Sequence, residues 1–133
     1  MSVVYATEDA LTAEEFVDVL RRSGLAERRP VDDPRRIAAM LAHGNLVVTA
    51  RDRAKLVGVA RSLTDFSFCC YLSDLAVDRE YQGQGIGRRL IDETRRAVAP
   101  HSMVLLLAAP NANSYYAHIG MPKIDNAFMY PRG

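Results

Sequence analysis

The chain has 133 residues, 49% hydrophobic and 25% charged, with a formal net charge of +1. Length and composition fit one globular domain over residues 1–133, and a near-neutral chain offers no global field to gather nucleic acid or a membrane surface. No apolar run reaches the ~18 residues that cross a bilayer, and Met1 to Tyr5 lacks the basic and apolar regions of a signal peptide, so a cytoplasmic protein is expected.

Val3 to Thr7 reads as a first strand. Thr12 then precedes a helix, with Glu15 at the reciprocal capping position and Phe16, Val19 and Leu20 on one face; Gly24 ends it. After a polar loop, Asp33 caps a second helix with Pro34 in its first turn, Ile37, Met40 and Leu41 on its buried face and Gly44 at its end. Asn45 to Ala50 and Lys55 to Leu63 are apolar runs split by Arg51 to Ala54, a hairpin signal, and Gly58 inside the second marks a bulge or a close approach. Thr64 to Phe68 is a loop. Cys69 and Cys70 follow; as strand neighbours they point to opposite faces, which disfavours a disulfide, and neither has metal-ligand spacing with His43, His101 or His118. No metal is expected, and paired free thiols suit a reducing compartment.

A strand from Cys70 to Val77 runs into Gln82-Gly83-Gln84-Gly85-Ile86-Gly87-Arg88. A helix then continues to about Ala99 on Ile86, Leu90, Ile91, Thr94 and Val98. Glycine permits positive φ and close approach of another molecule to the backbone. The unpaired N–H groups and dipole of the helix start favour an anion, phosphate above all. A phosphate loop of the G-x-x-x-x-G-K-[ST] kind is excluded because no Lys-Ser or Lys-Thr pair follows. A G-x-G-x-x-G dinucleotide turn is excluded because its third glycine falls on Arg88. Beyond the helix, Ser102 to Ala108 reads as a strand buried on both faces, parallel to the strand before the glycine turn because a helix crosses between them. A short helix around Ser114 to Ile119 and a last strand or hairpin over Lys123 to Tyr130 complete the order β-α-α-β-β-β-α-β-α-β.

Gln82, Gly85 and Gly87 match Q/R-x-x-G-x-G/A, the pyrophosphate loop of the GNAT superfamily of acetyl-CoA-dependent N-acetyltransferases, and Leu75 and Val77 resemble the L-x-V that precedes it there. The element order resembles that family across the chain. The resemblance implies a single α/β (α+β) domain: a mixed sheet with a central parallel pair of strands that splay apart, helices on both faces, and acetyl-CoA as cosubstrate. It also implies that Leu75, Ala76 and Val77 face the pantetheine arm and that residues 82 to 88 hold the pyrophosphate, mainly through backbone N–H groups.

Asn111 to Met121 (N-A-N-S-Y-Y-A-H-I-G-M) resembles the family stretch ending F-Y-x-x-x-G-F, with Tyr116, Gly120 and Met121 on its Tyr, Gly and Phe positions. Tyr116 would then protonate the CoA thiolate, a role suited to a phenol that stays neutral at pH 7. Tyr115 reads as its core partner. Asn111 or Asn113 resembles the family asparagine on the CoA arm; either also serves as a helix cap. A general base is harder to find, because simple alternation puts Tyr71, Ser73 and Leu75 on the substrate side and Asp74 opposite unless a bulge intervenes. Ser73, through a held water, Asp74 and the loop residue Asp65 are the candidates. Strand-end pairing is the other reading of Asp74.

The leading expectation is transfer of the acetyl group to a primary amine by direct attack in a ternary complex. Phe66, Phe68 and Tyr71 would suit a small aromatic amine, and part of the run from Arg61 to Val77 is similar to small arylalkylamine acetyltransferases of plastid type. A short chain with an open groove would suit a protein amine. A non-catalytic acyl-CoA-binding module is the alternative from another class. The apolar tail Phe128-Met129-Tyr130 and a poorly covered sheet edge point to a homodimer.

Overall fold

A computed structural model describes residues 2–133. Strand β1 is Val3–Thr7, helix α1 Ala13–Ser23, helix α2 Pro34–His43, and strands β2, β3 and β4 are Leu46–Asp52, Lys55–Thr64 and Cys70–Val77. Helix α3 is Ile86–Val98 and α4 is Asn113–His118. The first two helices begin where capping chemistry places them. Thr12 Oγ1 accepts from the Glu15 N–H at 3.1 Å, and Asp33 Oδ1 accepts from the Arg36 N–H at 3.2 Å with Pro34 in the first turn. Gly24 ends α1 at φ 87°, where a side chain would be strained.

The four strands form one sheet in the order β1-β2-β3-β4, and every pairing is antiparallel. Helices cover both faces. On one, Ile86, Leu90, Ile91 and Val98 of α3 pack on Val48, Val57, Ala60, Cys70 and Leu72. On the other, Phe16, Val19 and Leu20 of α1 and Ile37 of α2 pack on Val47, Leu56, Val59 and Ala76. Each fully buried aliphatic side chain here contributes about 1.5–3 kcal/mol through removal from water. Gly58 serves both readings of its position. It sits beside the bulge where the β2–β3 register shifts between Ala50 and Arg51, and an ideal Cβ on it would fall 3.0 Å from Leu90 Cδ1. Its bare backbone lets α3 lie close to the sheet.

The C-terminal third departs from the sequence expectations. Ser102 to Ala108 forms no full strand. It meets β4 in a single parallel bridge, Tyr71 to Leu105, with the Leu105 N–H donating to Cys70 O and the Leu72 N–H to Leu105 O, both at 2.9 Å. Its burial is one-sided: Met103 and Leu107 are each 51% exposed, while Val104 and Leu106 pack against the α3 side of the core. The reason is its outer flank. Lys123 to Tyr130, expected to be a last strand or hairpin, is exposed throughout and forms neither, so residues 102–108 have backbone partners on one edge only.

A candidate acyl-CoA site at the end of strand β4

The site is built where β4 ends and α3 begins. Asp78, 2% exposed, fixes that junction. Its backbone N–H donates to Val57 O at 2.9 Å, its Oδ1 accepts from the Glu80 N–H at 2.9 Å, and its Oδ2 accepts from Arg22 Nη1. Arg22 reaches on from α1 to donate to Leu56 O at 2.7 Å. Burial pushes the Asp78 carboxyl up, but the Glu80 N–H and the Arg22 guanidinium outweigh it, with Lys55 adding to the pull, and hold it below the usual carboxylate range.

Past this anchor the glycine turn is open. Gly83 and Gly85 take φ of 80° and 82°, and a Cβ on either would meet nothing within 4 Å. Gly85 is the N-cap of α3 with no side-chain cap, so the first N–H groups of the helix have no partner from the turn. Gln82, Gln84 and Arg88 are exposed, while Ile86 and Gly87 are buried. The Gln82 side chain turns back and donates from Nε2 to Val77 O at 3.0 Å, so it shapes the turn. Leu75 and Val77 are half-buried against the α3 side of the core, with Ala76 buried on the other face.

Along β4 a bulge does intervene. The β3 register pairs Arg61 with Asp74 and Ser62 with Leu72, leaving Ser73 as the extra residue. The strand therefore changes phase. Cys70 and Leu72 face α3, and so do Leu75 and Val77. The expectation that Leu75 shares a face with Tyr71 is corrected by this bulge. Asp74 is wholly buried, with Oδ1 accepting from Arg29 Nε and Oδ2 from Arg61 Nε. Arg29 also donates to Ser73 O at 2.8 Å, and Arg61 donates to Ser73 Oγ at 3.2 Å and to Met40 O at 2.9 Å. This geometry fits the ion-pair reading of Asp74: each carboxylate oxygen accepts from a guanidinium and the side chain has no exposed surface.

Asp65 has a structural occupation as well. Its Oδ1 accepts from the N–H groups of Phe68 at 2.7 Å, Ser67 at 2.8 Å and Cys69 at 3.1 Å, and these bonds lower its pKa to about 2. Phe66 and Phe68 ride on the same turn, 48% and 76% exposed. They lie at the end of β4 away from the glycine turn, and the structure does not gather them with Tyr71 into an aromatic pocket. The single close ring pair among the described residues is Tyr115 with Tyr116, edge to face at 5.2 Å between centroids.

Tyr116 packs half-buried against the α3 side of the core, and burial raises its phenol above the ordinary value of 10.0. Asn113 begins α4 and Asn111 precedes it; both are exposed, and neither caps the helix, whose N-cap is Ala112. Tyr115, expected in the core, is the more exposed ring, and its hydroxyl lies over Gly87. The sequence reading also missed Arg29 and Arg61. The signal for Arg61 was a charge inside the apolar run Lys55 to Leu63 opposite an aspartate in the next strand; Arg29, in the loop between α1 and α2, carried none. Among the described residues no helix is long and apolar enough to cross a membrane.

Residues 13–129 match the family model described as the acetyltransferase (GNAT) domain. The chain belongs to the GNAT acetyltransferase family. A GCN5-related N-acetyltransferase 2, chloroplastic, of Arabidopsis thaliana is 33% identical over 84 residues, covering 59% of this chain and 33% of that protein. The histone acetyltransferase TAP1 of Glycine max is 27% identical over 121 residues, covering 78% of this chain and 51% of that protein. The match thus spans a third to about half of these curated relatives. In fold, a Staphylococcus aureus protein described as a probable acetyltransferase superposes with a TM-score of 0.80 at 21% identity, over 99% of this chain and 100% of that one.

Proposed function

We propose that this GNAT domain transfers the acetyl group of acetyl-CoA to a primary amine by direct attack within a ternary complex. The observation that carries this reading is the open turn from Gln82 to Arg88, with two left-handed glycines and an uncapped helix start, in a chain of this family. The turn binds the diphosphate through backbone N–H groups, with Arg88 adding charge.

The pantetheine arm lies in the slot between β4 and residues 106–109. Among the described residues no backbone hydrogen bond joins these segments beyond Leu72 and Leu105, which supports a pair that diverges there and leaves the β4 edge past Ser73 open to bond the arm, apart from Val77 O, which accepts from the Gln82 side chain. The amine nitrogen attacks the thioester carbonyl carbon, the C–S bond breaks, and the thiolate takes the proton of the Tyr116 hydroxyl. The amine proton leaves to solvent, with a water at the Ser73 hydroxyl as the first stop. Raised by burial, the Tyr116 phenol remains a proton donor at neutral pH.

Two features support an acceptor presented on a polypeptide: the likeness to a histone acetyltransferase, and the absence of an enclosed aromatic pocket around Phe66 and Phe68. The protein acts as a homodimer through its C-terminal segment, where Phe128, Met129 and Tyr130 are 98%, 69% and 102% exposed. The central test is ligand-dependent stability and turnover. Acetyl-CoA at ~100 times its dissociation constant should add about 2.7 kcal/mol to folding, NAD should add far less, and CoA release should appear with lysine peptides or small amines. Equal stabilisation by NAD, or binding with no turnover on any amine, would defeat this reading.

A further inference from the structure

The glycine at position 87 is not required by its backbone. Unlike Gly83 and Gly85, it has no positive φ. A neighbour crowds it instead: an ideal Cβ there would collide with Tyr115 Oη and lie 3.2 Å from Tyr115 Cζ. A side chain there would require the phenol to move. The family pattern admits alanine at that position; here an alanine would displace the Tyr115 hydroxyl. The ring is held from behind by the edge-to-face contact with Tyr116, so α4 delivers the hydroxyl to the first turn of α3.

That hydroxyl has no hydrogen-bond partner within the protein among the described residues, and 37% of the residue remains exposed. Burial raises the phenol's pKa while the positive charge of Arg88 pulls the other way; the net shift is upward, so it carries its proton at neutral pH. The unpaired N–H groups of the α3 start lie in the same turn. In the family pattern F-Y-x-x-x-G-F the residue before the catalytic tyrosine is phenylalanine, which has no donor.

We infer that the Tyr115 hydroxyl donates a hydrogen bond to the diphosphate of the acyl-CoA, completing with the α3 N–H groups and Arg88 a site that a backbone loop alone would leave open on one side. This rests on the acyl-CoA reading above. It makes Tyr115 a cosubstrate-binding residue and Tyr116 the proton donor, two adjacent phenols with separate work on one molecule. It also explains why the α4 segment and the glycine turn are matched to each other: a hydroxyl so close to Gly87 serves the anion only while position 87 has no side chain.

Tyr115→Phe tests it, because the ring and its contact with Tyr116 persist. Dissociation constants are measured by calorimetry for CoA and for pantetheine, which lacks the diphosphate. Loss of one bond to a charged oxygen should weaken CoA about tenfold and leave pantetheine unchanged, with phosphorus NMR of bound CoA shifted at the diphosphate. CoA binding by Tyr115→Phe equal to that of the unaltered protein overturns the inference while sparing the acyl-CoA reading. So does an equal loss for CoA and pantetheine, which marks a packing role. Failure of the unaltered protein to bind CoA overturns both.

Discussion

Arg61 of β3 and Asp74 of β4 face each other across the hairpin in a buried ion pair, the aspartate having no exposed surface and the arginine side chain 6%. Arg29, from the loop between α1 and α2, closes on the other carboxylate oxygen. Two cations thus depend on one anion. Asp74→Ala would leave both guanidinium groups without it, and breaking a buried pair in this way typically costs about 3–5 kcal/mol. Urea unfolding should show that loss directly. If Asp74→Asn instead stays as stable as the unaltered protein but loses turnover, Asp74 is a base and the structural role is wrong.

The glycine turn predicts a loss of binding without a loss of fold. Glutamate at position 85 would project into open space, where the diphosphate is proposed to lie, and would repel it. The backbone there is left-handed, so a modest cost of about 1 kcal/mol in stability accompanies the change. Calorimetric titration should find no CoA binding by Gly85→Glu, with circular dichroism preserved. Retained affinity would remove the diphosphate from this turn.

Tyr116→Phe should lower kcat by about 10² to 10⁴, the usual value of a positioned proton donor, while acetyl-CoA affinity changes little. The pH profile gives a second reading of the same residue. A proton donor must be protonated, so kcat/KM falls as pH rises through its pKa; because burial raises that value above 10.0, the alkaline limb should have its midpoint above pH 10. In the phenylalanine variant that limb should be gone. Normal turnover with weakened CoA binding would make Tyr116 a contact only.

Acid should attack the junction of β4 and the glycine turn. The Asp78 carboxyl is depressed in the folded chain. A depressed carboxyl contributes stability that is full above its unfolded value of about 3.9 and is lost as pH falls through the lower folded value. Melting temperature should therefore drop below about pH 4, and Asp78→Asn should be less stable at neutral pH with a shallower acid decline. An identical acid decline in that variant would show that other carboxyls, Glu8 and Glu15 among them, carry the effect.

The exposed tail makes the oligomer testable. Light scattering at micromolar concentration should give a dimer, and deletion of residues 126–133 should give a monomer. A monomer in both cases would remove the homodimer.

What could be read from the sequence was mostly local chemistry. Thr12 and Asp33 announce helix starts because a side-chain oxygen two or three residues ahead of a free N–H needs nothing from the rest of the fold. Gly83 and Gly85 announce the turn because positive φ selects glycine. The misreadings concern pairing. Ser102 to Ala108 and Lys123 to Tyr130 have strand composition, but composition does not tell whether a partner lies along each edge. The bulge at Ser73 carries no glycine or proline to mark it; it is set by Arg29 and Arg61, which bond the Ser73 carbonyl and hydroxyl from other elements. Tyr115 and Tyr116 are chemically alike, and only the path of α4 sends one ring inward and the other to Gly87.

The extra residue at Ser73 means that β4 is, in effect, two half-strands of opposite parity. Even-numbered Cys70 and Leu72 face α3 before it, and odd-numbered Leu75 and Val77 do so after it. Burial stays with the even positions throughout, so a substitution scan should find Cys70, Leu72, Asp74 and Ala76 least tolerant, the first two because they meet α3 and the last two because they lie in the opposite layer. Deleting Ser73 would leave a strand of unbroken alternation in which Leu72, Leu75 and Val77 keep their present faces; what it would remove is the carbonyl that Arg29 bonds and the hydroxyl that Arg61 bonds, and with them the kink between the half that meets residues 102–108 and the half that leads into the glycine turn.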